Sequence, residues 1–157
     1  MATTNTYSQL YIQFVFAVKN RSGLIQTEWE DQLHKFITSI VQNQKHKLLC
    51  INSAYDHLHM FVGLNPGQSC STLMEQVKGK SSLFINEKKF TKSRFRWQEG
   101  FGAFSYSRSQ VDSVVKYILN QKEHHRQMSF REEYINFLEQ FEIDYNEKYI
   151  FHEPIED

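Results

Sequence analysis

The sequence has few of the residues that mark several large protein classes. Among its 157 residues there are two cysteines, two prolines and six glycines. Two cysteines cannot build a disulfide framework, and so little proline and glycine excludes collagen-like and low-complexity chains. No apolar run approaches the roughly 20 residues that a membrane span needs, and the N-terminus does not resemble a secretory signal. These features predict a cytoplasmic protein with free thiols.

A net charge is also lacking, because 18 basic residues balance 18 acidic ones. The charges are nevertheless separated along the chain, with seven basic residues in 78–96 and nine acidic residues in 130–157. A local basic segment attracts phosphates even in a neutral chain, although it can also be an ordinary solvated helix face and loop. The candidate phosphate-binding residues of this basic segment are Lys78, Lys80, Lys88, Lys89, Lys92, Arg94 and Arg96.

The length of the chain predicts one domain over residues 1–157. Its core spans about 7–145, and an acidic tail spans about 142–157. Strands and helices alternate as β-α-β-β-α-β and are followed by C-terminal helices. This order is typical of an α+β, ferredoxin-like fold, in which helices pack on one face of an antiparallel sheet. The other face of the sheet is expected to be open.

Two histidines begin the third predicted strand. His57 and His59 alternate with apolar residues, so they leave the same face of the strand about 6–7 Å apart. Paired imidazoles on a rigid strand can hold a divalent metal, and Asp56 can orient one of them or join the metal. The alternatives are a solvated histidine pair, or a mixed zinc site that includes Cys50 or Cys70.

A later predicted helix over residues 110–126 contains Tyr117 and Gln121, which are four residues apart and share one helix face. The phenol is a possible nucleophile and the amide oxygen a possible metal ligand. The alternative is a tyrosine packed along the helix flank beside a surface glutamine. His124 and His125 follow closely and are interpreted as polar residues at the helix end, with a ligand or acid role as the less favoured alternative.

The strand DHLHMFVGL, the later segment YILNQ and the intervening WQEGFGAFSYS together resemble the small single-tyrosine HUH transposases of bacterial insertion sequences, the IS200-like family. The resemblance covers roughly residues 7–145. It implies a DNA transposase that cuts and rejoins single-stranded DNA at hairpin-bearing element ends, without ATP. Tyr117 would form a covalent 5′-phosphotyrosine intermediate. His57, His59 and Gln121 would bind Mg²⁺ or Mn²⁺.

The same resemblance implies a homodimer in which the tyrosine helix can be delivered to the partner's histidines. Free tyrosine has a pKa near 10, so the nucleophile needs activation by the metal, a base or Lys116. Two other hypotheses remain open at this point. One is a domesticated relative that cleaves or binds repeated hairpins, and the other is a non-catalytic nucleic-acid-binding module on the same sheet.

Overall fold

The computed structural model describes residues 5–156, which form four strands and five α-helices around one antiparallel sheet. The strands are β1 (Tyr11–Ala17), β2 (Lys47–Ser53), β3 (His57–Gly63) and β4 (Gly102–Tyr106). The helices are α1 (Thr27–Asn43), α2 (Cys70–Lys88), α3 (Val111–Leu119), α4 (Gln121–His124) and α5 (Phe130–Gln140). Within residues 5–156, no helix is both long enough and apolar enough to cross a bilayer.

The sheet has the order β2-β3-β1-β4, and each neighbouring pair is antiparallel. This confirms the predicted α+β class with its antiparallel sheet, and the strand order is compatible with a ferredoxin-like arrangement. The histidine strand β3 is internal, between β1 and β2. An internal strand is hydrogen-bonded on both sides, so it is a rigid base for functional side chains.

The first face of the sheet carries the larger part of the apolar core. Phe14 and Phe16 of β1 and the even-numbered residues of β3 are fully buried there under α1 and α2. The ring of Trp97 packs edge-on against Phe16, at 4.6 Å between ring centroids, and its indole donates to Ser81 of α2. These contacts place α2 on the Phe16 side of the sheet.

The second face is covered as well, which corrects the expectation of an open face. Phe61 of β3 packs in a cluster with Val114 and Ile118 of α3, and Phe104 of β4 stacks on Phe137 of α5. The sequence carries a sign of this in β1, where residues 14–18 are all apolar and all buried. A continuous apolar run is typical of a strand that is buried on both faces.

The predicted helix over residues 110–126 is interrupted at Asn120, so Tyr117 lies in α3 and Gln121 begins α4. The Asn52 side chain of β2 donates to the carbonyls of Ile118 and Leu119, at 2.9 and 3.2 Å. Carbonyls in the last turn of a helix lack partners within the helix. The sheet therefore holds the C-terminal end of α3 in place.

Candidate metal and tyrosine site

His57 and His59 lie on the second face of the sheet, beneath the C-terminal helices. Both side chains are fully buried, with 5.0 Å between the ring centroids. The spacing along β3 therefore brings the two imidazoles together as the alternation predicts. Their burial contradicts the alternative of a solvated pair on an open sheet face.

Neighbouring side chains fix the orientation of both imidazole rings. Asp56 Oδ1 lies 2.7 Å from His57 Nδ1, and Gln13 Oε1 lies 2.6 Å from His59 Nδ1. A partner on Nδ1 sets the ring orientation and leaves Nε2 available for a ligand. Of the two roles considered for Asp56, the structure shows the first, because Asp56 orients His57. Gln13 orients His59 in the same way.

Tyr117 and Gln121 reach the same place from their separate helices. Gln121 Oε1 lies 2.9 Å from His57 Nε2, and the half-buried Tyr117 ring meets the His59 ring at 6.2 Å between centroids. The structure therefore brings all four residues of the predicted site together within one chain. Tyr106, a second tyrosine near the site, instead receives a hydrogen bond on its hydroxyl from Gln13.

Glu133, which was not predicted from the sequence, lies at the centre of the cluster. Its side chain is 3% exposed, and its Oε1 lies 3.3 Å from His59 Nε2 and 3.4 Å from His57 Nε2. Its Oε2 accepts hydrogen bonds from the Tyr117 hydroxyl and from Gln121 Nε2. One carboxylate therefore contacts every residue of the predicted site.

A signal for Glu133 does exist in the sequence. It falls three residues after Phe130 and four before Phe137, so it shares the buried face of α5. An acid on an apolar helix face is unusual, because burying a charge is costly unless the charge is paired. That position alone could have marked Glu133 as a residue with partners in the core.

His125 is also part of the cluster, which corrects its interpretation as a polar residue at a helix end. Its Nε2 lies 3.1 Å from Glu133 Oε1 and 3.1 Å from Gln121 Oε1, and its side chain is 6% exposed. The short helix α4 and the turn after it direct the ring inward. His124, by contrast, packs against the Tyr117 ring at 4.5 Å between centroids.

The buried charges of the cluster perturb one another. Burial alone would lower the pKa of His57, but hydrogen bonds to Asp56 and Glu133 raise it to about 9. Burial lowers the pKa of His59. Burial alone would raise the pKa of Glu133, but the hydrogen bonds from His125, His57 and His59 outweigh it and lower that pKa.

The Tyr117 phenol lies in an environment that favours its protonated form. Burial raises its pKa, and the adjacent Glu133 carboxylate raises it further. Lys116 is an exposed residue of α3, whereas the Tyr117 hydroxyl is bonded to Glu133. The Tyr117 hydroxyl therefore donates its hydrogen bond to Glu133 and not to any of the groups considered from the sequence.

The donor set fits a divalent cation. Ligand atoms of His57, His125 and Glu133 lie within 4.8 Å of one another, with His59 and Gln121 beside them. Imidazole and carboxylate donors bind divalent cations, and the cluster contains no thiolate of the kind that structural zinc sites prefer. Cys50 instead packs against Phe61 and α3, so the structure gives no support to a mixed cysteine–histidine site.

The site opens into a cleft of about 870 Å³ between α3–α4 and α5. Tyr117, His125 and Glu133 line it, together with residues that include Asn120, Asn136 and Gln140. None of the described residues of the acidic tail, 142–156, lines this cleft. The tail instead returns toward the end of β1, where Glu156 pairs with Arg21 at 3.0 Å.

The basic segment and the histidine–tyrosine cluster lie on opposite faces of the sheet. It runs through the second half of α2 and the loop that follows, and α2 packs on the first face of the sheet. Six of its seven side chains are exposed, whereas Lys78 is partly buried and donates to the carbonyls of Gln98 and Gly100. The structure therefore leaves most of the predicted basic segment available but does not bring it to the tyrosine.

Comparison with known proteins decides the family. Residues 6–121 match the model of the family described as Transposase IS200 like. The chain belongs to this IS200-like transposase family. The matched range includes His57, His59, Tyr117 and Gln121, and it ends before His125 and Glu133. No curated protein gives a significant match to the sequence.

Two solved structures share the fold of this IS200-like transposase. A "putative transposase" from Deinococcus radiodurans R1 superposes with a TM-score of 0.62 at 18% identity, covering 77% of this chain and 97% of its own. A REP-associated tyrosine transposase bound to a REP hairpin superposes with a TM-score of 0.59 at 16% identity, covering 80% of this chain and 74% of its own. At such low identity, these similarities show a common fold.

Proposed function

We propose that this member of the family cleaves and rejoins single-stranded DNA at hairpin-bearing ends through a covalent bond to Tyr117. The observation that carries the proposal is the contact of one phenol, two strand imidazoles and one amide with the same buried carboxylate. A non-catalytic DNA-binding module would need none of these groups in a common buried cluster.

In the first step, the Tyr117 oxygen attacks the scissile phosphorus while its proton passes to Glu133 Oε2, which already accepts the hydroxyl hydrogen bond. The new bond joins the tyrosine oxygen to phosphorus, the bond from phosphorus to the 3′ oxygen breaks, and the proton held by Glu133 passes to that 3′ oxygen. The products are a 5′-phosphotyrosine and a free 3′-hydroxyl. Because the phosphoester bond is conserved on the protein, another 3′-hydroxyl can reverse the step without ATP.

His57, His59 and Gln121 would hold Mg²⁺ or Mn²⁺, with Glu133 and His125 as additional candidate ligands. When bound, the cation neutralises phosphate charge and polarises phosphorus. Asp56 and Gln13 keep the histidine rings oriented through Nδ1, so that both Nε2 atoms face the same point.

The proposed DNA partner is a hairpin, and a structural neighbour is bound to a REP hairpin. The exposed members of the basic segment would contact hairpin phosphates. A homodimer is proposed as well. In this structure the Tyr117 hydroxyl already lies in the cluster of its own chain, so the proposal does not require exchange of the tyrosine helix.

The decisive test is covalent capture of DNA. The full-length protein, incubated with single-stranded hairpin DNA and Mn²⁺, should give a protein–DNA conjugate that survives denaturation. Tyr117→Phe should bind the DNA with unchanged affinity but form no conjugate, and Tyr106→Phe serves as the matched control. Capture by the Tyr117→Phe protein would assign the nucleophile to another residue and overturn the proposal.

A further inference from the structure

The cleft beside Tyr117 has a lining that the proposed cleavage chemistry does not explain. Five exposed side-chain amides border it, contributed by the start of α3, the turns around α4 and the outer part of α5. Among the cleft-lining residues in the described part of the chain there is no lysine or arginine. The amides belong to Gln110, Asn120, Gln127, Asn136 and Gln140.

Three of these amides are available to a ligand. Within residues 5–156, the side chains of Asn120, Gln127 and Gln140 have no hydrogen-bond partner, and Asn136 makes only a long 3.7 Å contact with Met128 sulfur. An amide offers a donor beside an acceptor, the combination that pairs with the edge of a nucleobase. Amides from three separate chain segments therefore present such groups to one space.

The cleft has room for a base beside the reacting phosphate. Its lining includes the acidic residues Glu123 and Glu133 and the histidines His124 and His125. Its volume of about 870 Å³ lies within the range of about 300–1,000 Å³ that holds small organic ligands.

Aromatic rings supply the second requirement of base binding. His124 and Tyr117 pack against one another at the cleft, and both contribute to its lining. Unpaired bases stack on such rings and present their edges to polar groups. Because Tyr117 lies at the cleft, a base held there would belong to a nucleotide directly beside the bond under attack.

We propose that the amide cleft, lined by Asn120, Gln127, Asn136 and Gln140, binds one or two unpaired DNA bases next to the scissile phosphate and so selects the cleavage sequence. This inference rests on the proposed function. In this arrangement, α5 and the turns around α4 recognise the bases at the cleavage position, and the basic segment binds the hairpin phosphates.

The test compares full-length wild-type protein with an Asn136→Ala/Gln140→Ala double variant. The probe is a DNA hairpin with a single-stranded extension that is randomised over eight nucleotides. With Mn²⁺, strands conjugated to the wild type should show a base preference beside the cleaved bond, and the double variant should weaken that preference roughly tenfold. The control Gln42→Ala, an exposed amide on α1, should keep the wild-type profile.

A second measurement separates failure of this inference from failure of the cleavage mechanism. Binding of the selected hairpin and of a version with one abasic site beside the junction is measured without Mn²⁺. The wild type should prefer the intact strand, and the double variant should lose that preference. Equal preference in both proteins overturns the cleft assignment, whereas discrimination without any conjugate overturns the covalent mechanism and supports the cleft.

Discussion

At the residue scale, Glu133 sets the charge of the site. Neutral imidazoles and an amide would leave the full charge of a bound cation available to the DNA phosphate. The buried carboxylate among His57, His59 and His125 cancels part of that charge. The expected result is firmer retention of the cation, and the adjacent phenol donates a hydrogen bond to the same carboxylate.

Glu133→Gln should weaken Mn²⁺ binding by at least about tenfold, because the amide keeps the shape of the side chain but removes its charge. Isothermal titration with the DNA-free protein measures this directly. Glu139→Gln, on the exposed side of α5, is the matched control and should bind Mn²⁺ as the wild type does. Equal affinities in the two variants would show that the carboxylate does not contact the cation.

The sequence predicted those site residues that lie two or four positions apart on one strand or helix. His57 and His59 share a strand face, and Tyr117 and Gln121 are four residues apart, so short-range periodicity was enough to group each pair. Glu133 and His125 were not assigned to the site, because their contact with the histidines depends on how α4 and α5 turn back over the sheet. That long-range packing has no short motif.

At the element scale, the contact between β4 and α5 holds Glu133 in position. Gly102 begins β4, and a Cβ there would lie 2.8 Å from Tyr134 of α5 and 2.9 Å from Phe104. Those rings are buried against one another and against Phe151, so they have little freedom to withdraw. The missing side chain at Gly102 thus allows α5 to approach the sheet closely.

Gly102→Ala should therefore destabilise the fold by about 1–3 kcal/mol through overpacking. Urea unfolding followed by circular dichroism gives the change in the free energy of unfolding. Gly79→Ala is the matched control, since nothing lies within 4 Å of its Cβ and alanine favours the helix. The control should be neutral or more stable, and a loss of similar size in both variants would refute the packing argument.

The basic segment gives a second prediction at this scale. Replacing Lys88 and Lys89 by alanine should weaken hairpin binding and reduce the dependence of log Kd on log salt concentration by roughly 0.9 per lost phosphate contact. Fluorescence anisotropy over a range of salt concentrations measures the slope. Lys35→Ala on α1 is the surface control, and an unchanged slope in the double variant would remove α2 from the DNA interface.

The helices with one apolar face were predicted well from the sequence. The side chains of Ser69 and Ser129 cap α2 and α5 by accepting a backbone hydrogen bond, whereas α1 begins after Gln26 without a side-chain cap. The break at Asn120 was missed, because the Asn52 side chain that bonds the end of α3 comes from a distant strand.

At the scale of the whole molecule, a single chain assembles the tyrosine and the histidines. The sequence resemblance allowed the tyrosine helix to serve a partner subunit. In the structure, the Tyr117 hydroxyl and His57 both contact Glu133 of the same chain. A single copy therefore contains every residue of the proposed reaction.

Mixing two inactive variants tests this arrangement. Tyr117→Phe and His57→Ala proteins, combined in equal amounts, should form no more conjugate than either alone, because neither chain holds a complete site. A mixture of wild type with either variant provides the positive control. If the two variants restore conjugate formation together, the tyrosine helix must be exchanged between subunits.

The coverage of both sheet faces has a further consequence for how nucleic acid can reach this protein. Proteins that read single strands on a bare β-surface lay several bases flat across it, with the strand residues as the platform. Here α1 and α2 occupy one side, and α3 and α5 the other. A strand that reaches Tyr117 must therefore enter the cleft between α3–α4 and α5 and cannot lie across the sheet.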